Sequence, residues 1–275
     1  MTASSALERL IATFPSVLVG YSGGVDSALM AVVARRVLGK ERSVAATGIS
    51  PSYPEVQRRQ ALGLARRFDL QLVRIDTHEM EDPDYVANAT NRCYFCKREL
   101  WTRLLGVAAE LGIAVVADGT NADDTGEHRP GLRASQERGI RSPLSEAGYT
   151  KDDVRREARA LGIPIWDAPA APCLSSRILY GITVTPDRLR QVEEGEALLR
   201  ALGVEGDLRV RHRGEEARIE VRPNEFARVR EHKNRIAITL LDLGFDRVTL
   251  DLRGYRRGSL LGAGQPSLEV LGARA

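Results

Sequence analysis

Cysteine, lysine and the large aromatic residues are scarce in this chain. Of its 275 residues, three are Cys, four are Lys, two are Trp and five are Phe. Three cysteines cannot all pair with one another, so a disulfide scaffold is excluded; thiol chemistry, a metal or inert core positions remain. No apolar run approaches the ~20 residues needed to cross a bilayer. The first ten residues have neither a basic stretch nor the apolar run of an export signal, and a cytoplasmic protein is expected. A net charge of +3 gives no sign of the dense basic stripe that nucleic-acid binding requires. What is present is 43% hydrophobic and 28% charged residues. That is enough apolar surface for one large or two modest domains, at roughly 100–200 residues each.

The apolar pattern alternates between strand and helix through the N-terminal half. Strands are expected at Val17–Tyr21, Ser43–Ile49, Leu70–Ile75 and Ile113–Asp118. Helices are expected at Ser5–Phe14, Ser27–Leu38, Glu55–Phe68 and Tyr94–Leu111. Such alternation with short connections specifies an α/β fold, a doubly wound parallel sheet with helices on both faces. Beyond Thr150 the order changes. A helix at Lys151–Leu161 is followed by a Pro- and Ala-rich loop, a helix at Pro186–Leu202, and strands at Asp207–His212 and Ala217–Arg222. A helix at Asn224–Leu243 and a strand at Arg247–Leu252 complete a smaller α+β domain. The expected division is residues 1–182, with a cysteine-bearing loop at 168–182, then 183–259, and a mobile tail over 260–275.

The strongest local signal is Ser22-Gly23-Gly24-Val25-Asp26-Ser27, set between a buried strand and a helix. Paired glycines allow a tight turn and close approach by a ligand, and the helix start offers free N–H groups to an anion. With a hydroxyl at each end, the loop suits a pyrophosphate; an ordinary strand-to-helix turn is the competing reading. Asp118-Gly119-Thr120-Asn121-Ala122-Asp123-Asp124 lies at the end of another parallel strand, on the sheet edge where open α/β folds bind ligands. Gly119, Thr120 and Asn121 are candidate nucleotide contacts and Asp124 a candidate metal ligand, against the alternative of a solvated turn.

Cys93-Tyr94-Phe95-Cys96 stands at a helix start, and Cys173 stands in the Pro-Ala loop. A C-x-x-C pair places two sulfurs within reach of one metal or one cluster edge, and a further thiol makes three-thiolate ligation a candidate. A redox dithiol, a zinc site completed by another side chain, and unconnected core cysteines are the alternatives. On the strand at 207–212, Arg209 and Arg211 share a face, and a guanidinium fork suits carboxylate and phosphate. Arg218 and Arg222 read instead as a solvated face, and Trp101 and Trp166 as packing residues. The four histidines have no metal-ligand spacing.

The Ser22–Ser27 loop resembles the pyrophosphate loop of the N-type ATP pyrophosphatases, the adenine nucleotide alpha hydrolase-like fold. Four further segments narrow the resemblance: Ser142–Gly148, Trp166–Arg177, Arg209–Gly214 with Ala217–Val221, and Gly254–Ser259. Together they resemble the LarE family, ATP-dependent sulfurtransferases that act on pyridinium-3,5-biscarboxylic acid mononucleotide in nickel-pincer cofactor synthesis. The resemblance implies binding of ATP by Ser22, Gly23, Gly24, Val25, Asp26 and Ser27 with Gly119, Thr120 and Asn121. It implies Mg²⁺ at Asp26 and Asp124, and contacts to an anionic substrate from Arg177, Arg209, Arg211 and Arg256. A carboxylate would be adenylated and then converted to a thiocarboxylate. The sulfur would come from Cys173 itself, leaving dehydroalanine, or from a [4Fe-4S] cluster held by Cys93, Cys96 and Cys173. The cysteine count favours the cluster. A homo-oligomer is also implied. A tRNA thiolase of the same superfamily, and a non-catalytic ATP or AMP sensor with zinc or redox cysteines, are the competing functions.

Overall fold

The computed structural model describes residues 5–126, 130–169, 172–256 and 267–274. Its contacts divide the chain into two units. The first runs up to Tyr85 and from Asn91 to the cysteine-bearing loop, and the second comprises Val86–Thr90 and the chain from Pro172 onward. The division thus falls eleven residues before the expected start at 183 and adds the segment Val86–Thr90.

In the first unit, α1 (Ala6–Ala12), β1 (Val17–Gly20), α2 (Val25–Leu38), β2 (Ser43–Ile49), α3 (Glu55–Arg67) and β3 (Gln71–Asp76) follow in order. A short α4 (Pro83–Val86) leads to α5 (Arg92–Glu110), β4 (Val115–Ala117), α6 (Pro130–Glu137), α7 (Pro143–Glu146) and α8 (Lys151–Ala160). The four strands are parallel in the order β3-β2-β1-β4. Strand alternation sends Val17 and Val19 into one core with Leu7, Leu29, Val33 and Leu64, and sends Leu18 into another with Val44, Trp101 and Leu104. Burial on both faces explains why β1 reads as an uninterrupted apolar run. The expected doubly wound α/β class is what the chain adopts.

The second unit contains α9 (Pro186–Ala201), β5 (Leu208–Arg213), β6 (Glu216–Val221), α10 (Phe226–Glu231), α11 (Lys233–Asp242), β7 (Arg247–Asp251) and β8 (Leu268–Ala273). Its sheet runs β5-β6-β7-β8, with β6 and β7 parallel and the other pairs antiparallel. Leu208, Val210, Ile219, Val221, Val248 and Leu250 form its core with Leu199, Ile236 and Leu240.

Three expectations are corrected. Residues 268–273 are an edge strand and not part of a mobile tail, because their backbone completes the β7 ladder; 257–266 lie outside the described residues. The single helix at 224–243 is two, breaking at His232. Arg218 is not solvated: it is 7% exposed and paired with Glu216. Among the described residues no helix is long and apolar enough to cross a membrane.

Candidate active site

The loop after β1 is shaped by glycine at one unavoidable position. Gly23 has φ +73°, and a Cβ there would lie 2.6 Å from Cβ of Ala61 on α3. Glycine alone satisfies both the left-handed backbone and the close packing. Gly24 precedes α2 in extended conformation without a side-chain cap, so the first N–H groups of the helix have no partner from within it. The carbonyls are engaged. Tyr53 Oη and Gln57 Nε2 donate to Ser22 O at 2.9 and 3.0 Å, Gln60 Nε2 donates to Gly23 O at 3.0 Å, and Ser27 Oγ donates to Gly24 O at 3.0 Å. The loop's remaining capacity is therefore that of a donor, the polarity an anion needs. Burial pushes the Tyr53 phenol up to about 12 and moves Tyr21 in the same direction. Both stay protonated donors, Tyr21 to Ala61 O at 2.9 Å.

The second strand-end motif is brought against this loop. A Cβ on Gly119 would lie 2.7 Å from Ser27 N, so the chain after β4 passes directly over the start of α2. Asp118 organises that passage: its carboxylate accepts from Thr120 N at 3.0 Å, Thr120 Oγ1 at 2.9 Å and Ser142 Oγ at 2.8 Å. The buried Asn121 donates through Nδ2 to Asp26 Oδ1 at 3.1 Å, and its N–H reaches Asp124 Oδ2 at 3.3 Å. Lys151 Nζ takes the other oxygen of Asp26 at 2.5 Å. Six loop residues, Gly119, Thr120, Asn121 and Asp124 thus share one edge of the sheet. Asp118 and Ser142 stand at the head of motifs that the sequence shows but carry no role there, and Lys151, Tyr53, Gln57 and Gln60 are not marked by the sequence as site residues. Lys151 had one usable signal, as one of four lysines standing at a capped helix start.

The thiols are placed as follows. Cys93 and Cys96 sit in the first two turns of α5, three apart and so on one face, in the first unit; Cys173 belongs to the second. Cys93 is exposed and the others are half-buried, and none of the three is in a disulfide. The Arg92 guanidinium lies 3.9 Å from Cys93 Sγ. Among the described residues, no three His, Cys, Asp or Glu side chains converge on a metal-sized position. Cys173 immediately precedes a 3-10 turn at Leu174–Arg177.

Of the arginines, Arg177 and Arg211 are buried and already ion-paired. Arg177 grips Glu196 through Nε at 2.9 Å and Nη2 at 3.1 Å. Arg211 Nε meets Glu220 at 2.9 Å, and its Nη1 donates to Ser176 O at 2.9 Å. Arg209 differs. It is 5% exposed, stacks 5.0 Å from the Tyr255 ring, donates to Leu208 O, and among the described residues has no carboxylate within ion-pair distance. Burial, with Arg177 nearby, holds its guanidinium below the usual range. Arg256 is exposed. Arg257, Gly258 and Ser259 of the last motif, Arg129, and Ala170 and Ala171 of the Pro-Ala loop lie outside the described residues.

A family model described as NAD synthase matches residues 7–93, which contain the phosphate loop. The pyridinium-3,5-bisthiocarboxylic acid mononucleotide synthase of Lactiplantibacillus plantarum is 34% identical over 259 residues, covering 94% of each chain. The chain belongs to the LarE family. Two other similar proteins are uncharacterized. One from Synechocystis sp. is 42% identical over 92% of this chain and 95% of its own, and one from Methanocaldococcus jannaschii is 30% identical over 87% and 90%. Membership of LarE therefore extends across both units and is not confined to the phosphate loop.

Proposed function

We propose that this protein is an ATP-dependent sulfurtransferase that converts a carboxylate of pyridinium-3,5-biscarboxylic acid mononucleotide into a thiocarboxylate. The observation that carries this reading is the near full-length similarity to the L. plantarum synthase, joined to a donor-rich loop at Ser22–Ser27. ATP phosphates would take the N–H groups of Gly24 to Ser27 and the hydroxyls of Ser22 and Ser27. Asn121 and Gly119 keep the opposite wall close. A substrate carboxylate oxygen attacks the α-phosphorus and pyrophosphate leaves, giving an acyl adenylate. A sulfur nucleophile then attacks the acyl carbon and AMP leaves.

Asp26 is a hard oxygen donor of the kind Mg²⁺ prefers, and Asp124 is tied to it through Asn121. Asp26 and Asp124 would hold Mg²⁺, which would supply positive charge to the ATP phosphates, and the Lys151 ammonium beside Asp26 is a second cation at the same loop. Arg209 is the arginine best suited to a substrate anion, since among the described residues no carboxylate lies within ion-pair distance of it. Arg177 and Arg211 contribute their field from fixed positions, and Arg256 reaches from the surface.

Cys93, Cys96 and Cys173 would be the donor set for a [4Fe-4S] cluster, since none of them is in a disulfide and thiolates are the ligands such clusters take. When bound, that cluster supplies an exchangeable sulfide. Iron and acid-labile sulfide in anaerobically purified protein test this assignment, and absence of both contradicts it. Pyrophosphate release dependent on the pyridinium substrate tests the adenylation. No release with any carboxylated pyridine nucleotide contradicts it. A homo-oligomer is part of the same reading, checked by light scattering.

A further inference from the structure

The turn after β2 carries two hydroxyls in series that end on a buried carboxylate. Glu79, in the 3-10 turn that follows β3, is 2% exposed. Its Oε1 accepts from Ser52 Oγ at 3.1 Å, and its buried Oε2 has no hydrogen-bond partner among the described residues. Ser52 is itself buried, and its Oγ lies 2.8 Å from Ser50 Oγ. A carboxylate only accepts, and a serine hydroxyl has one hydrogen to give. Ser52 gives that hydrogen to Glu79, so Ser50 must donate its own to Ser52. Ser50 Oγ also accepts from Ser52 N at 3.2 Å. The half-buried Ser50 is left with one lone pair and no hydrogen, a hydroxyl fixed as an acceptor.

Ser50 stands just past the carboxyl end of β2, the strand beside β1, on the edge where open α/β sheets hold ligands. Neighbouring strands lie about 4.8 Å apart, so this acceptor is set one strand along the sheet from the phosphate loop. Tyr53 ties the two together, donating from the same turn to Ser22 O at 2.9 Å. On the other side of β1 the chain at Gly119 passes directly over the start of α2. A nucleoside whose phosphates occupy the loop therefore has its open path over β2, past Ser50.

We propose that Ser50 selects the base of the bound nucleotide by accepting from the exocyclic amine of adenine, and that Glu79 is a positioning residue that holds Ser50 in its accepting state through Ser52. The inference rests on the reading that Ser22–Ser27 binds ATP. Hypoxanthine and guanine carry a carbonyl oxygen where adenine has the amine. Their lone pair would face the lone pair of Ser50, leaving two acceptors without a donor.

Isothermal titration of the full chain with Mg²⁺ tests this, using ATP, inosine triphosphate, purine riboside triphosphate and inorganic tripolyphosphate. Purine riboside has hydrogen in place of the amine, and tripolyphosphate has no base. ATP should bind roughly fivefold more tightly than purine riboside triphosphate and about tenfold or more above inosine triphosphate. Ser50→Ala should bring ATP down to the purine riboside level and leave tripolyphosphate unchanged, whereas Ser50→Thr keeps the hydroxyl and should keep the preference. Glu79→Gln sets an amide N–H against Ser52, which reverses the series and releases the Ser50 hydrogen. Its preference for ATP over inosine triphosphate should shrink about fivefold or more, again with tripolyphosphate unchanged. Equal wild-type affinity for ATP and purine riboside triphosphate, or an undiminished difference in Ser50→Ala, would overturn the proposal while leaving the ATP-dependent sulfurtransferase reading in place. An unchanged preference in Glu79→Gln would overturn the positioning role of Glu79. Failure of ATP and tripolyphosphate alike to bind would overturn both readings.

Discussion

Lys151 Nζ reaches Asp26 Oδ2 across 125 residues of chain, joining the start of α8 to the start of α2 at the mouth of the phosphate loop. Both side chains retain partial exposure, 32% and 24%, so the pair contributes no more than about 1 kcal/mol to folding. Its larger consequence is for nucleotide binding. Lys151→Met is expected to raise the KM for ATP about tenfold or more while shifting the melting temperature little. Isothermal titration with a non-hydrolysable ATP analogue checks this; unchanged affinity would assign Lys151 a purely structural role.

Gly119 gives a sharper steric prediction. In Gly119→Ala the new Cβ meets backbone atoms of Asp26 and Ser27 at 2.7–3.0 Å, and backbone has no rotamer by which to yield. The loss of stability should be roughly 1–3 kcal/mol, with ATP binding reduced well beyond that. Denaturant unfolding with and without nucleotide measures both. An alanine variant that binds ATP normally would contradict the close passage over α2.

Arg177 and Glu196 form a buried pair, with side-chain exposures of 5% and 11%. Removing one partner leaves the other charge uncompensated, so Glu196→Gln or Arg177→Gln should cost about 3–5 kcal/mol. The paired replacement Arg177→Met with Glu196→Leu should be milder than the sum of the single changes. A double-mutant cycle by urea unfolding reads the coupling directly, and additive effects would contradict it.

His212 makes stability depend on pH. Its imidazole is 2% exposed, packs on the Phe245 ring, and donates through Nε2–H to Gln191 Oε1 at 2.9 Å. Its Nδ1 is buried without a hydrogen-bond partner among the described residues. Burial pushes its pKa down to about 4, from 6.5. The unfolded chain therefore binds more protons between these values, and stability rises with pH through that window. The contribution is fully present above about pH 6.5 and falls away as pH drops towards 4, a loss of roughly 2–3 kcal/mol. His212→Gln should flatten the profile between pH 4 and 6.5. An unchanged profile would show that other groups govern acid sensitivity.

The parts of this molecule that were legible in advance are those with local rules. Val17–Gly20 reads as a doubly buried strand because each residue is apolar, and Gly23-Gly24 reads as a ligand loop because a glycine can take the left-handed backbone that the turn needs at Gly23. What was not legible depends on partners distant in sequence. Alternation placed Arg209 and Arg211 on one face, but not their burial, which follows from Glu220 directly across the hairpin from Arg209 and from Glu196 on α9. Arg218 reads as solvated because its partner Glu216, two residues away on the same strand, is itself held by Thr249 Oγ1 from the neighbouring strand β7, a contact that local alternation does not reveal. The strand Leu268–Ala273 was hidden by the Gly- and Ala-rich sequence before it, and by a register shift opposite Val248 and Thr249 that breaks simple alternation. Lys151 has only its rarity and its place at a capped helix start to mark it; its contact with Asp26 depends on the chain returning across 125 residues.

The central claim is tested most directly by anaerobic incubation of the protein with ATP, Mg²⁺ and pyridinium-3,5-biscarboxylic acid mononucleotide, followed by mass analysis of the small molecules. The predicted result is a product that has exchanged one oxygen for sulfur, with AMP and pyrophosphate formed in equal amounts and no product when ATP is omitted. Unaltered substrate alongside hydrolysed ATP, or sulfur transfer that proceeds without ATP, would contradict it.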